Sequence, residues 1–348
     1  MAVGRVYDSV FLEHGVEWHI EKARRLEAIH DQLQGDGLWN EMVSLEVPAA
    51  ATETIALVHT EPYIDEIRRI SRQGGGELDH DTIATAQTWD AATRAVGGCV
   101  AAVDAIFAGE VQSAAALVRP PGHHALPNRG MGFCFFNNAA IAAEYAIRSQ
   151  YASRVAIVDF DVHHGNGTQD FFYNRGDVLY VSTHQDPFYP GTGLAAEMGV
   201  DEGLHKTVNC PLPSECDDRL MLRVYDEVIV PVLTQFDPEF LIMSAGYDGY
   251  HKDPLAGHAI TTGGYHTLSR RLARVAHDTC GGRVLMVLEG GYNLDVLGLC
   301  VENTILALMN REPMHEDPNP RSDTATQAPA LVEHVKDLID FHRQWHEL

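Results

Sequence analysis

Short runs of Val, Ile, Leu and Ala recur along the chain, and each ends in a polar or glycine-rich cluster. They are Ala115–Arg119 ahead of PPGHH, Val155–Asp161 ahead of HHGNG, Val178–Thr183 ahead of HQDPFYPGTG, Phe240–Ala245 ahead of GYDG, and Val284–Leu288 ahead of EGGYN. Continuous rather than alternating apolar runs mark strands covered on both faces, as in a parallel sheet. Between them, Asn138–Ser149 and Asp217–Leu233 carry apolar residues at helical spacing. Strand and helix therefore alternate, which predicts an α/β fold with a doubly wound, mostly parallel sheet flanked by helices. Residues 1–110 read as mostly helical, over Glu21–Leu33, Pro62–Arg72 and Thr88–Phe107, and no Ser/Gly-rich linker follows them. A single domain over 1–311 is expected. From Glu312 the chain is Pro-rich and polar, then places Leu331, Val335, Leu338, Ile339 and Trp345 at helical spacing. Residues 312–348 are accordingly expected to be a Pro-rich segment and a C-terminal helix that packs on the same domain.

Composition narrows the class. The chain has 348 residues, 45% apolar and 21% charged, with 30 Gly and 16 Pro, the profile of a folded enzyme rather than a collagenous, coiled-coil or disordered chain. Its 49 acidic against 25 basic residues give a formal charge of −24. Such a field repels a phosphate backbone and attracts cations, so no nucleic-acid partner is expected. Cys99, Cys134, Cys210, Cys216, Cys280 and Cys300 form no CxxC pair, which predicts neither a structural zinc site nor a disulfide framework. The opening residues lack a basic segment followed by an apolar one, and no apolar stretch approaches membrane-spanning length. A cytoplasmic protein with no membrane partner is the expectation; a homo-oligomer is compatible with it.

In a doubly wound sheet, ligands bind beyond the carboxyl ends of the strands. The residues there are His123 and His124, then Asp159, Asp161 and His163, then His184, Asp248 and Glu289-Gly290-Gly291-Tyr292. Singly, each could cap a strand or be a satisfied buried residue; together they point to chemistry. With a period of two, Asp159, Asp161 and His163 project to one side if the strand continues that far, and close buried carboxylates repel unless a cation joins them. Asp161, His163 and Asp248 thus form a candidate metal site with an open position, suited to Zn²⁺, with Fe²⁺ compatible. His123 and His124 are candidate proton carriers, with Asp159 and Asn166 as partners for their second nitrogens. Gly290 and Gly291 bring the backbone close before Tyr292, whose phenol could donate to a developing oxyanion.

PPGHHA, GFCFFNN, VDFDVHHGNGTQ, FYPGTG, GYDGYHKDPL and EGGYN, in this order, resemble the zinc-dependent histone deacetylase family, which includes bacterial histone deacetylase-like amidohydrolases and acetylpolyamine amidohydrolases. The resemblance spans roughly residues 5–310, and His19–Leu26 is similar to the family's N-terminal HPExPxRL, with Ile20 and Ala23 where prolines are usual. It implies an arginase/deacetylase-like fold and one Zn²⁺ held by Asp161, His163 and Asp248. His124 would be general base and acid with Asn166 behind it, His123 an electrostatic partner backed by Asp159, and Tyr292 the group that polarises the carbonyl. Gly132, Phe133, Phe188 and Tyr189 would wall a tunnel for the substrate chain. A structural K⁺ near Asp159, Asp161, His163, Ser182 and Thr183 is also implied. Asn166 and RPPGHH are similar to the class II branch. Leu255 stands where polyamine-selective relatives carry an acidic gatekeeper, so acylated lysine peptides are expected over acylated small amines. Arginase itself needs further carboxylates for a second metal, but Gly165 and Tyr250 occupy those places. A non-catalytic acyl-binding scaffold would not need the full set of His123, His124 and Tyr292.

Overall fold

The computed structural model describes residues 2–321 and 328–346. The expected runs form β6 (Val155–Asp159), β7 (Val178–Gln185), β9 (Phe240–Ala245) and β10 (Val284–Leu288), while the strand expected at Ala115–Arg119 starts earlier, as β5 (Ser113–Ala116), and leaves Leu117–Arg119 in the following loop. Three further strands join them: β1 (Val3–Val6), β2 (Val43–Ser44) and β8 (Thr207–Leu212). The eight lie in the order β2-β1-β5-β10-β9-β6-β7-β8, every pairing parallel. A small antiparallel pair, β3 (Gly75–Glu77) and β4 (Ile83–Thr85), stands apart. Every residue of β5, β6, β9 and β10 is buried, as their unbroken apolar runs require. Helix Thr88–Phe107 packs on β1, β5 and β10, Asn138–Arg148 on β6 and β9, and Thr262–Cys280 on β9.

The chain leaves β5 for β6, skipping the two places that β9 and β10 later fill. Loops after β5, β6, β9 and β10 therefore converge where strand order reverses, the crevice in which such sheets hold ligands.

Several expectations are corrected. The first 110 residues, mostly helical as expected, also supply β1, β2, β3 and β4. The run at residue 155 stops at Asp159, short of Asp161. Asp217–Leu233 is not one regular helix: Asp218–Val224 and Val230–Phe236 flank a π turn at Tyr225–Ile229. The C-terminal helix forms over Pro329–His346 and buries Val335, Leu338 and Ile339; its His342 Nε2 lies 2.9 Å from the Asn209 carbonyl. Trp345 instead stays 44% exposed. Within the Pro-rich segment, residues 322–327 lie outside the described residues. The six cysteines are all buried and unpaired.

Candidate active site

After β6 the backbone turns on its own carboxylates rather than continuing as a strand. Asp159 Oδ1 accepts from Asp161 N at 3.2 Å, and Asp161 Oδ1 from His163 N at 2.9 Å. These two Asx-type turns, not β alternation, bring the three side chains together. Asp248, beyond β9, accepts from Val162 N through Oδ1 at 3.0 Å. Gly290, beyond β10, donates to Asp161 Oδ2 at 2.8 Å. A Cβ on Gly290 would clash with Asp248 Oδ2, so the backbone approach anticipated at this glycine is made against the carboxylates.

Asp161, His163 and Asp248 each offer a ligand atom within 4.8 Å of the others. His163 Nδ1 is 3.0 Å from Asp161 Oδ1 and 3.1 Å from Asp248 Oδ2. Asp248 Oδ2 is buried without a hydrogen-bond partner among the described residues. Burial opposes charge on His163, yet Asp161 and Asp248 raise its pKa to about 10. Two buried carboxylates with one oxygen unsatisfied require a positive partner, and the N/O donor set fits a divalent metal.

The neighbouring histidines sit in different circuits. His123 Nδ1 donates to Asp159 Oδ2 at 3.0 Å, and Asp159 also accepts from the Tyr180 hydroxyl at 3.2 Å. Although burial works against it, Asp159 and then Asp161 raise the His123 pKa to about 10. His124 Nδ1 donates to Asn166 Oδ1 at 2.8 Å, which leaves Nε2 as its basic nitrogen. Burial, then charge on His123 and His163, holds His124 well below its ordinary value. One imidazole is charged and its neighbour neutral, which suits the neutral one to accept a proton.

Tyr292 lies over the Arg25 guanidinium, 4.9 Å from Cζ to ring centroid. Burial keeps its phenol protonated, well above its ordinary range, with Arg25 opposing. A cavity of about 210 Å³ is lined by His123, His124, Asp161, His163 and Tyr292, with Gly132, Phe133, Phe188, Tyr189 and Leu255. Phe188 stacks on His163 at 5.2 Å between centroids, Tyr189 meets His124 edge-on at 5.2 Å, and Phe133 meets Tyr292 at 6.0 Å. Gly132 has φ +55°, and a Cβ there would press into the His124 ring. Ser182 and Thr183 are buried in β7, with Ser182 paired in register with Asp159. Ser182 Oγ is engaged with His184 Nδ1 at 2.9 Å, while Thr183 Oγ1 has no partner among the described residues.

Four groups act in ways that no motif assigned, although Glu289 and Arg25 stand inside EGGYN and the His19–Leu26 stretch. Glu289 Oε2 accepts from Gly122 N at 2.7 Å and His123 N at 3.2 Å, and Oε1 from Ser244 Oγ at 2.9 Å; burial pushes its pKa up to about 7. Asp253 accepts from Tyr292 N at 2.7 Å, Asn293 N at 3.1 Å and Leu255 N at 2.9 Å, with burial and Asp248 raising it to about 7. Arg25 donates to the carbonyls of Gly291 and Glu289, at 2.7 and 2.5 Å. It shares Glu21 with the buried Arg119. Asp81 is a carboxylate in the cavity lining. Glu289 stands inside a motif, and its strand-end position was a usable signal. Asp253, Arg25 and Asp81 act across loops that no local pattern connects.

A metal-ready carboxylate/imidazole cluster beside two unlike histidines, at the switch point of a parallel sheet, fits metal-dependent amide hydrolysis. The chain belongs to the histone deacetylase family: the histone deacetylase domain matches residues 19–308. It is 41% identical over 85% of its length to a probable deacetylase of Archaeoglobus fulgidus, covering 82% of that protein. It is 36% identical over 80% of its length to a histone deacetylase-like amidohydrolase of Pseudomonas aeruginosa, covering 73% of that one. The crystal structure of the HDA15 HD domain superposes with a TM-score of 0.90 at 33% identity, over 99% of this chain and 95% of that one.

Proposed function

We propose that the protein is a zinc-dependent deacetylase that hydrolyses the amide of acetyl-lysine or a related short-chain acylated amine. The observation that carries this reading is the unlike pair of histidines, His123 on Asp159 and His124 on Asn166, opening with Tyr292 into one cavity beside Asp161, His163 and Asp248. Zinc held by those three residues supplies a Lewis acid and lowers the pKa of water. His124 Nε2 takes a proton from the attacking water and returns it to the departing amine nitrogen. His123, kept charged by Asp159, stabilises negative charge in the transition state. Tyr292 donates its hydroxyl proton in a hydrogen bond to the acyl oxygen. Phe133, Phe188 and Tyr189 enclose the methylenes of the acylated chain, and Gly132 leaves His124 its place. Leu255 at the rim offers packing and no charge. A K⁺ beneath the site would draw on Asp159, Asp161, His163, Ser182 and Thr183, largely through backbone oxygens. Asn166 behind His124 favours the class II branch, and unpaired cysteines suit a reducing cytoplasm.

A second reading, acetylpolyamine amidohydrolase, is favoured by Asp81 in the lining and the charge of −24. The deciding experiment assays acetyl-lysine peptides, longer acyl-lysines, acetylputrescine and acetylspermidine side by side with the zinc-loaded enzyme. Higher kcat/KM for acetyl-lysine peptides supports the first reading; higher kcat/KM for acetylspermidine replaces it with the second.

A further inference from the structure

Away from the active site, three acid or imidazole side chains from distant parts of the sequence meet. Asp36 follows the helix Arg24–Gly35, Glu302 lies within the helix Leu297–Leu308, and His315 belongs to the segment that leaves that second helix. His315 Nε2 is 2.7 Å from Asp36 Oδ2. Gln32 Nε2 donates to Asp36 Oδ2 at 2.6 Å and to Glu302 Oε2 at 3.1 Å, holding both carboxylates to one point. A ligand atom from each of the three lies within 4.8 Å of the others.

Glu302 makes this more than a surface cluster. It is 0% exposed, and its Oε1 is buried without a hydrogen-bond partner among the described residues. Among the described residues no Arg or Lys pairs with either carboxylate, and the ion-pair contact of Asp36 is with His315. Burial and the proximity of Asp36 raise Glu302 to about 7. A carboxylate sealed beside a second one needs either a proton or a cation, and His315, against Asp36 and with a ring nitrogen within 4.8 Å of a Glu302 oxygen, adds the nitrogen donor that a divalent ion would use.

We propose that Asp36, Glu302 and His315 bind a second divalent ion of the zinc class, separate from the catalytic cluster. One nitrogen and two carboxylate oxygens are ordinary zinc donors, and the exposed side of His315 leaves room for water to complete the shell. The ion is a clamp. Two residues beyond His315, Asp317 accepts from the Tyr250 hydroxyl and from Thr262 N, both at 2.9 Å, and Tyr250 is two residues past Asp248. Fastening His315 thus fastens the segment that braces the Asp248 loop.

The test is metal content by mass spectrometry after dialysis against micromolar Zn²⁺, with thermal unfolding at matched Zn²⁺. Wild type should hold about two ions per chain, and His315→Ala about one with deacetylase activity retained. His163→Ala, lacking a catalytic ligand, should still gain Tm on adding Zn²⁺, and the double variant His163→Ala/His315→Ala should lose that gain. Glu302→Gln separates ion from proton: loss of the second ion supports the clamp. Unchanged zinc content in Glu302→Gln or His315→Ala overturns it, as does a wild type holding one ion only.

Discussion

His123 and His124 are chemically identical and adjacent, and the atom facing each Nδ1 separates their roles. A carboxylate keeps His123 charged; an amide oxygen leaves His124 neutral with a free Nε2. His124→Ala should therefore nearly abolish turnover while the metal content stays unchanged, and an undiminished kcat would show that another group moves the proton. Tyr292→Phe removes one donor to the acyl oxygen and should lower kcat by roughly 10²–10³; a loss below about threefold would place the phenol elsewhere. His123 also links pH to stability. Its folded pKa of about 10 lies above the ordinary 6.5, so the folded state holds the proton more tightly. The stabilisation is complete below the lower value and is lost as pH rises toward the upper one. Urea midpoints of the metal-free protein should fall across that window, and His123→Asn should flatten the fall. Parallel slopes in the two proteins would refute the link.

Between elements, the site depends on struts as much as on catalytic groups. Asp253 ties the loop after β9 to the start of the Tyr292 loop, and it fixes Leu255 as well. Asp253→Ala leaves three backbone N–H groups short of an acceptor, at about 1–3 kcal/mol if they stay buried and unpaired. Lower thermal stability together with reduced kcat is expected, since Tyr292 loses its anchor; a purely thermal effect would mean that Tyr292 is held by Arg25 alone. The same scale shows where patterns in the chain mislead. β1 is only VGRV, with Arg5 in its middle, and β8 is TVNCPL. Neither forms an apolar run, and both are strands because they complete the sheet beside β5 and β7. Asp161 and His163 were expected to meet by strand alternation and meet instead through backbone turns on carboxylates.

For the whole molecule, charge and rim compete to set substrate preference. The −24 field attracts any cation, peptide or polyamine alike, whereas Leu255 in the cavity lining, the proposed rim residue, carries no charge to pair with a distal ammonium. Leu255→Glu should shift the ratio of kcat/KM toward acetylspermidine over acetyl-lysine peptide by the equivalent of about 1–3 kcal/mol, the scale of a charged hydrogen bond. If the ratio does not move and added salt erodes it instead, the global field is the selector.

Features that depend on neighbours along the chain can be read from the order of residues alone. Unbroken apolar runs specify buried parallel strands, and polar residues directly after them must stand at the sheet's carboxyl edge. Most of the site was legible for that reason: His123, His124, Asp161, His163, Asp248 and Tyr292 each follow a run within a few residues. How those edges meet is a property of the assembled sheet. The return of β9 and β10 between β5 and β6 places Glu289 against Gly122 and Arg25 against Tyr292. Side-chain periodicity describes one element at a time. Strand order is set by burying all the apolar faces at once, and that global condition has no signature in any single stretch of sequence.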